Sequence, residues 1–190
     1  MISVIIPTQN SAHLLRRALP PLVDGVAHGL VRQVILADGG SVDDTRAIAD
    51  AAGCDIVSAL GDRVARLRDG AAYAKGAWLL FLPPETVLAP GWAGEVERFV
   101  AHPNAAQRAA VFKLSLDNDA GGASLAWTRF RSRWLKRPSI EQGLLLSRTL
   151  YDQIGVYGDD IARRIGGRRL FELNAEVVVQ RDAVRESSGV

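Results

Sequence analysis

The chain reads as an α/β protein with a mainly parallel, mixed sheet flanked by helices, and three observations predict this. Short apolar runs rich in β-branched residues, such as Ser3–Ile6 and Val31–Ala37, suit strands buried on both faces. Segments with apolar residues at helical spacing alternate with those runs through the first half, the pattern of parallel strands joined by right-handed crossovers. The runs also end in polar residues, prolines or glycines, and the C-terminal edge of such a sheet is where ligands bind.

Taken in order, Ser3–Ile6 is the first strand, and Ala12–Val23 the first helix, with Leu14, Leu15, Ala18, Leu19 and Leu22 on one face. Pro20 and Pro21 fall inside that pattern and predict a break. Val31–Ala37 is the second strand. A helix is expected over Val42–Ala52, with Ser41 and Asp44 at capping-box spacing. Asp55–Ala59 is the third strand, Arg63–Lys75 a helix and Ala77–Leu82 the fourth strand. The second half is less regular: Ala110–Leu116, Gly143–Leu146 and Glu176–Val179 read as strands, and Asp117–Ala123 as a flexible loop.

The 190 residues fit one domain, 1–190. A formal net charge of +2 argues against a dedicated nucleic-acid binder. Cys54 is the one cysteine, so no intrachain disulfide forms. His13, His28 and His102 are scattered, which excludes a zinc site by spacing. No apolar run approaches the ~20 residues of a bilayer span, and no signal peptide is visible, so a cytoplasmic location is expected, with a peripheral place at the inner membrane surface as the alternative.

Four stretches carry chemistry. In "VILADGGSVDDT", Asp38 ends a strand and Gly39-Gly40 lead toward a helix, an arrangement that lets a polar ligand approach backbone closely. The plainer reading is a tight turn in which Asp38 caps its neighbours. In "VIIPTQN", Pro7, Thr8 and Asn10 reach the same edge if the first two strands are neighbours. In "FLPPET", Glu85 arrives there from the fourth strand, as a site residue or as a solvated side chain in a turn. "WTRFRSRWLKR" holds five basic residues without an acid; it packs one apolar face on the sheet, or meets an anionic membrane or a nucleic acid.

In this order the motifs resemble family 2 of the glycosyltransferases, with the GT-A fold, over Ile2 to about Val179, which implies a nucleotide-binding half over 1–90 and an acceptor-side half over 91–190. "SVIIPTQN" is similar to that family's first-strand motif, with Ser11 where Glu is usual. "ADGGSVDDT" is similar to the second-strand motif, whose Asp contacts the nucleobase. "AAYAKGAWLLFLPPET" resembles the approach to the Asp-X-Asp metal site, and "RSRWLKRPSIEQGLLLSRTLYDQIGVYGDD" the acceptor-side half. The nearest likeness is to a small bacterial branch associated with radical-SAM and selenium-related genes.

The resemblance implies sugar transfer from a nucleoside-diphosphate sugar, UDP- or GDP-linked, with inversion. Pro7, Thr8, Asn10, Asp38, Gly39, Gly40, Arg63, Arg68 and Glu85 would bind the donor. Asp160, or its neighbour Asp159, would be the base, and Glu141 and Gln142 would lie near the acceptor. The metal motif is altered to Pro83-Pro84-Glu85-Thr86, so Glu85 alone would hold Mg²⁺ or Mn²⁺, or Arg63 and Arg68 would neutralise the diphosphate instead. Arg66 is assigned to a solvated helix face. The competing reading is a degenerate module that binds nucleotide sugar without turnover. A dinucleotide-dependent oxidoreductase fits poorly, because the first turn is Pro7-Thr8-Gln9-Asn10 and not Gly-X-Gly-X-X-Gly.

Overall fold

A computed structural model describes residues 1–115, 140–155 and 160–180. The segment 127–137, the expected loop at 117–123, and Asp159 lie outside them. Eight strands form one sheet in the order β3-β2-β1-β4-β7-β6-β8-β5. They are β1 (Ile2–Thr8), β2 (Val31–Asp38), β3 (Asp55–Ser58), β4 (Trp78–Phe81), β5 (Thr86–Leu88), β6 (Ala109–Ser115), β7 (Leu144–Ser147) and β8 (Leu170–Val179). The first four are parallel, as expected. β7 runs antiparallel to β4 and β6, and β8 is parallel to β6. The result is a single mixed α/β domain.

β1 is central, and all seven of its residues are buried. Its first neighbours follow the apolar pattern: Ile5, Ile35, Leu79 and Leu80 are fully excluded from solvent. Two apolar clusters sandwich the sheet. One carries Leu15, Leu22, Ala49, Trp92 and Val96, and the other Leu67, Ala71, Leu150, Ile161 and Ile165.

The helices are α1 (Ala12–Ala18), α2 (Leu22–Ala27), α3 (Thr45–Ala51), α4 (Arg63–Tyr73), α5 (Trp92–Val100), α6 (Arg148–Ile154) and α7 (Ile161–Ile165). Pro20-Pro21 separate α1 from α2, where the missing N–H groups predict a break. Asp62 caps α4, its carboxylate accepting from the Ala65 N–H at 2.8 Å. Gly70 brings α4 onto the sheet: an added Cβ would lie 2.5 Å from Ile5 Cγ2.

Four elements depart from the sequence pattern. α3 starts at Thr45, not Val42, and Ser41 does not cap it; Ser41 bonds to Asp38 instead. β5 forms directly after the Pro-Pro turn, paired with β8, a partner distant in sequence. α5 and α6 are not evident from the apolar pattern either. Trp92 anchors α5 in the core and donates from Nε1 to the Pro21 carbonyl at 3.0 Å.

Candidate functional site

The site begins where β1 and β4 part. Backbone groups of a strand point alternately to its two neighbours. The Thr8 carbonyl accepts from the Gly39 N–H on the β2 side, and the Ile5 carbonyl from the Leu82 N–H on the β4 side. Pro7 therefore faces the β4 side, two residues beyond Ile5, where β4 has given way to Pro83-Pro84 and no donor is needed. β2 and β3 lie on one side of β1 and β4 on the other, and such a strand-order switch is where α/β sheets form a ligand crevice.

Asp38 closes one wall. It is 2% exposed, yet its carboxylate is held entirely by neutral donors. Thr8 Oγ1 donates to Oδ1 at 3.1 Å, the Ser41 N–H donates to Oδ2 at 3.0 Å, and the Ser41 hydroxyl also donates to Oδ1. Four lone-pair positions against three donors leave Oδ2 with capacity for one more.

The two loops above Asp38 are stitched together. Asn10, at φ +50°, accepts from the Val42 N–H at 2.9 Å and donates its own N–H to Ser41 Oγ at 2.8 Å. Ser11, buried where the resembled family has Glu, donates its N–H to Thr45 Oγ1 at 2.8 Å. Asp43 accepts from the N–H groups of Ala12 and Thr45. Burial pushes the Asp43 carboxyl up, but these hydrogen bonds outweigh it and leave the group below its ordinary value.

The opposite wall comes from α4 and the turn after β4. Arg63 Nη2 donates to Glu85 Oε1 at 2.8 Å in an ion pair whose side chains are 33% and 13% exposed. Glu85 is therefore paired and mostly buried, and not the solvated side chain of a bare turn. Arg66 corrects the sequence expectation. One helical turn beyond Arg63, it is half-buried, and its Nη1 donates to Gln9 Oε1 at 2.8 Å and to the Gly61 carbonyl at 3.0 Å. A Cβ on Gly39 would lie 2.7 Å from that nitrogen, so the glycine makes room for the guanidinium. Arg68, expected to face phosphate, is on the exposed side of α4. Burial, and next the like charge of Arg63, hold Arg66 below its ordinary pKa, while Asp62 and Asp38 pull it upward.

Glu141 and Gln142 lie in a short 3-10 turn, Ile140–Gln142. The Glu141 carbonyl accepts from Thr86 Oγ1 at 2.8 Å, which brings this turn beside Glu85, and Gln142 Nε2 donates to the Phe112 carbonyl at 2.8 Å. Asp160 precedes α7 without capping it by its side chain; it pairs with Arg164 at 3.0 Å. Gln180, which no local sequence signal flags, ties the Pro-Pro turn to α1 by donating from Nε2 to the carbonyls of Pro84 and Leu14.

A divalent cation fits this donor set poorly. Oε1 of Glu85 is taken by Arg63. The carbonyls of Pro83, Pro84 and Glu85 accept from the Thr86 N–H, Gln180 Nε2 and the Gln180 N–H respectively. Among the described residues no group of three or more His, Cys, Asp or Glu side chains is placed to hold a metal.

A doubly wound half-sheet with a carboxylate and two guanidinium groups near its switch point is an α/β architecture of the kind that binds ligands at that edge. The sequence pattern of glycosyl transferase family 2 matches residues 3–157, and the chain belongs to that family. No protein with a curated description matches it in sequence. Solved structures share its fold at low identity. Mannosyl-3-phosphoglycerate synthase from Rubrobacter xylanophilus superposes with a TM-score of 0.68 at 16% identity, over 99% of this chain and 69% of that one. Glucosyl-3-phosphoglycerate synthase from Mycobacterium tuberculosis, in complex with Mn²⁺, UDP and glucosyl-3-phosphoglycerate, gives 0.63 at 18%, over 99% and 75%. S. aureus TarS 1-349 in complex with UDP gives 0.63 at 15%; this chain covers 58% of its length, with 95% of its own residues aligned. No helix among the described residues is long and apolar enough to cross a membrane.

Proposed function

We propose that this chain transfers a sugar, a hexose or one like it, from a UDP- or GDP-linked donor to an acceptor hydroxyl, with inversion at the anomeric carbon. The observation that carries this reading is the Asp38 carboxylate, buried, oriented by Thr8 and Ser41, and left with one acceptor position at the crevice. Such a group suits an N–H of a nucleobase, because a charged acceptor strengthens that hydrogen bond. Pro7, Asn10, Gly39 and Gly40 form the backbone around it, and Arg63 and Arg66 stand where a diphosphate would follow.

In the transfer, the acceptor oxygen forms a bond to the anomeric carbon as the bond from that carbon to the diphosphate oxygen breaks. The hydroxyl proton passes to a carboxylate, assigned to Asp160 or to Asp159 beside it, and the nucleoside diphosphate leaves. Glu141 and Gln142 would line the acceptor approach. The altered metal motif, the bacterial branch and a lipid-linked acceptor belong to the same reading and rest on the sequence resemblance, and a cytoplasmic location, at the membrane surface for such an acceptor, goes with them.

Calorimetric titration with UDP and with GDP tests it. One of them is expected to bind the wild type, and Asp38→Asn to weaken it about tenfold or more, the scale of a hydrogen bond to a charged group. Failure of both nucleotides to bind would remove the reading. The poor cation site favours a second one, a module that holds nucleotide sugar without turnover. Nucleotide binding with no sugar released from any donor, with or without acceptor, would select it.

A further inference from the structure

The two arginines of the crevice sit where folding stability alone would not put them. Arg63 is the first residue of α4 and Arg66 is on the same turn, at the positive end of the helix dipole, where cations are disfavoured. They are three residues apart, so their charges repel, and that repulsion is among the causes that hold Arg66 below its ordinary value. Both are partly withdrawn from water. Each also keeps a buried Nε–H with no hydrogen-bond partner among the described residues. A buried donor left unpaired costs about 1–3 kcal/mol. Dipole, repulsion and unused donors would all be relieved by an anion between the two guanidinium groups.

The carboxylate at the same place is already paired with a cation. Glu85, the one acid of the altered turn, binds Arg63, and the three carbonyls around it are satisfied within the protein. Arg63 and Arg66 against Glu85 alone leave one net positive charge at the turn, with Asp62 and Asp38 as further acids near Arg66. A divalent cation held by one carboxylate leaves the same. Guanidinium groups at this turn can therefore supply positive charge of the kind a cation would bring.

We propose that the Arg63–Glu85 pair, with Arg66, replaces the divalent cation, and that the chain binds the diphosphate of its ligand without metal. Glu85 is a positioning residue that aims Arg63, and Arg66 is held over Gly39 by Gln9 and Gly61. Guanidinium groups suit the role, since they present several donors in a plane and match phosphate oxygens in pairs. The identity of that ligand as a nucleoside diphosphate rests on the function proposed above; the anion site itself does not.

The test titrates the full chain with inorganic pyrophosphate, UDP and GDP, each with Mn²⁺ and again with EDTA. Pyrophosphate and one nucleotide are expected to bind with affinities that agree within about twofold in the two conditions. Arg63→Ala should weaken both about 10- to 100-fold, the range for hydrogen bonds to charged groups. Glu85→Gln should bind pyrophosphate in EDTA several-fold better than the wild type, because it removes a negative charge while its Oε1 can still accept from Arg63. A purely structural Glu85 would not make that gain, and a metal-ligating one would lose binding in the Mn²⁺ arm. Binding seen only with Mn²⁺ overturns the proposal and leaves the donor reading intact. Metal-independent pyrophosphate binding with neither nucleotide bound supports the anion site and overturns the donor reading. Binding of nothing overturns both.

Discussion

Two carboxylates stand at one edge of the sheet, and their surroundings differ in kind. Asp38, at the end of β2, is bound by a threonine, a serine hydroxyl and a backbone N–H, all neutral. Its charge is solvated by dipoles and stays available. Glu85, beyond the end of β4, is bound by a guanidinium, so its charge is matched before any ligand arrives. The first arrangement suits a ligand that donates hydrogen bonds, and the second removes a ligand for a cation while fixing a group that receives anions. Sequence position at a strand end makes the two look equivalent; the partners decide what each can do.

Breaking the first arrangement should have the largest effect. Asp38→Ala leaves the Thr8 and Ser41 donors buried without an acceptor, and at about 1–3 kcal/mol for each stranded group the expected loss is roughly 3 kcal/mol in urea unfolding, together with loss of nucleotide binding. Glu85→Gln, measured the same way, is expected to cost less than about 1 kcal/mol, because a partly exposed ion pair is screened.

Gly39→Ala sharpens the comparison by disturbing the cationic wall from the Asp38 side. The new Cβ meets the far end of Arg66, a flexible group, and Gly39 has no left-handed backbone to strain. Stability should stay within about 1 kcal/mol, while nucleotide affinity falls about tenfold as Arg66 leaves Gln9. Equal loss of stability and affinity would mean that Arg66 is a packing group and not a binding one.

The smallest effect concerns the loops over Asp38. The Asp43 carboxyl lies below its ordinary value when folded, so its contribution is fully present above that value and is lost as pH falls through the depressed one. Urea midpoints measured between about pH 5 and pH 3 should fall less steeply in Asp43→Asn than in the wild type. Parallel slopes would mean that the Ala12 and Thr45 hydrogen bonds add nothing.

Much of this was legible in the sequence for a physical reason. Strands buried on both faces must be continuous apolar runs, so β1, β2 and β4 announce themselves, and the polar residues that end them mark the edge. β5 and the extent of β8 were not legible, because each is fixed by pairing with a strand far along the chain. Ser41 has capping spacing toward Asp44, but the buried charge of Asp38 is the stronger claim on its hydroxyl. The case of Arg66 is different. Its three-residue offset from Arg63 is a helical-face signal, and it outweighs the family pattern that pointed to Arg68. Gln180 could not have been found, since its partners at Leu14 and Pro84 meet only in the fold.

The central claim is that ligand binds at the edge formed by β1, β2 and the start of α4. Hydrogen–deuterium exchange with and without a saturating nucleoside diphosphate tests it most directly. The account predicts slowed exchange in segments 8–12, 38–45 and 61–67, with the strands beneath unchanged. Protection confined to other segments, while the nucleotide demonstrably binds, would contradict it.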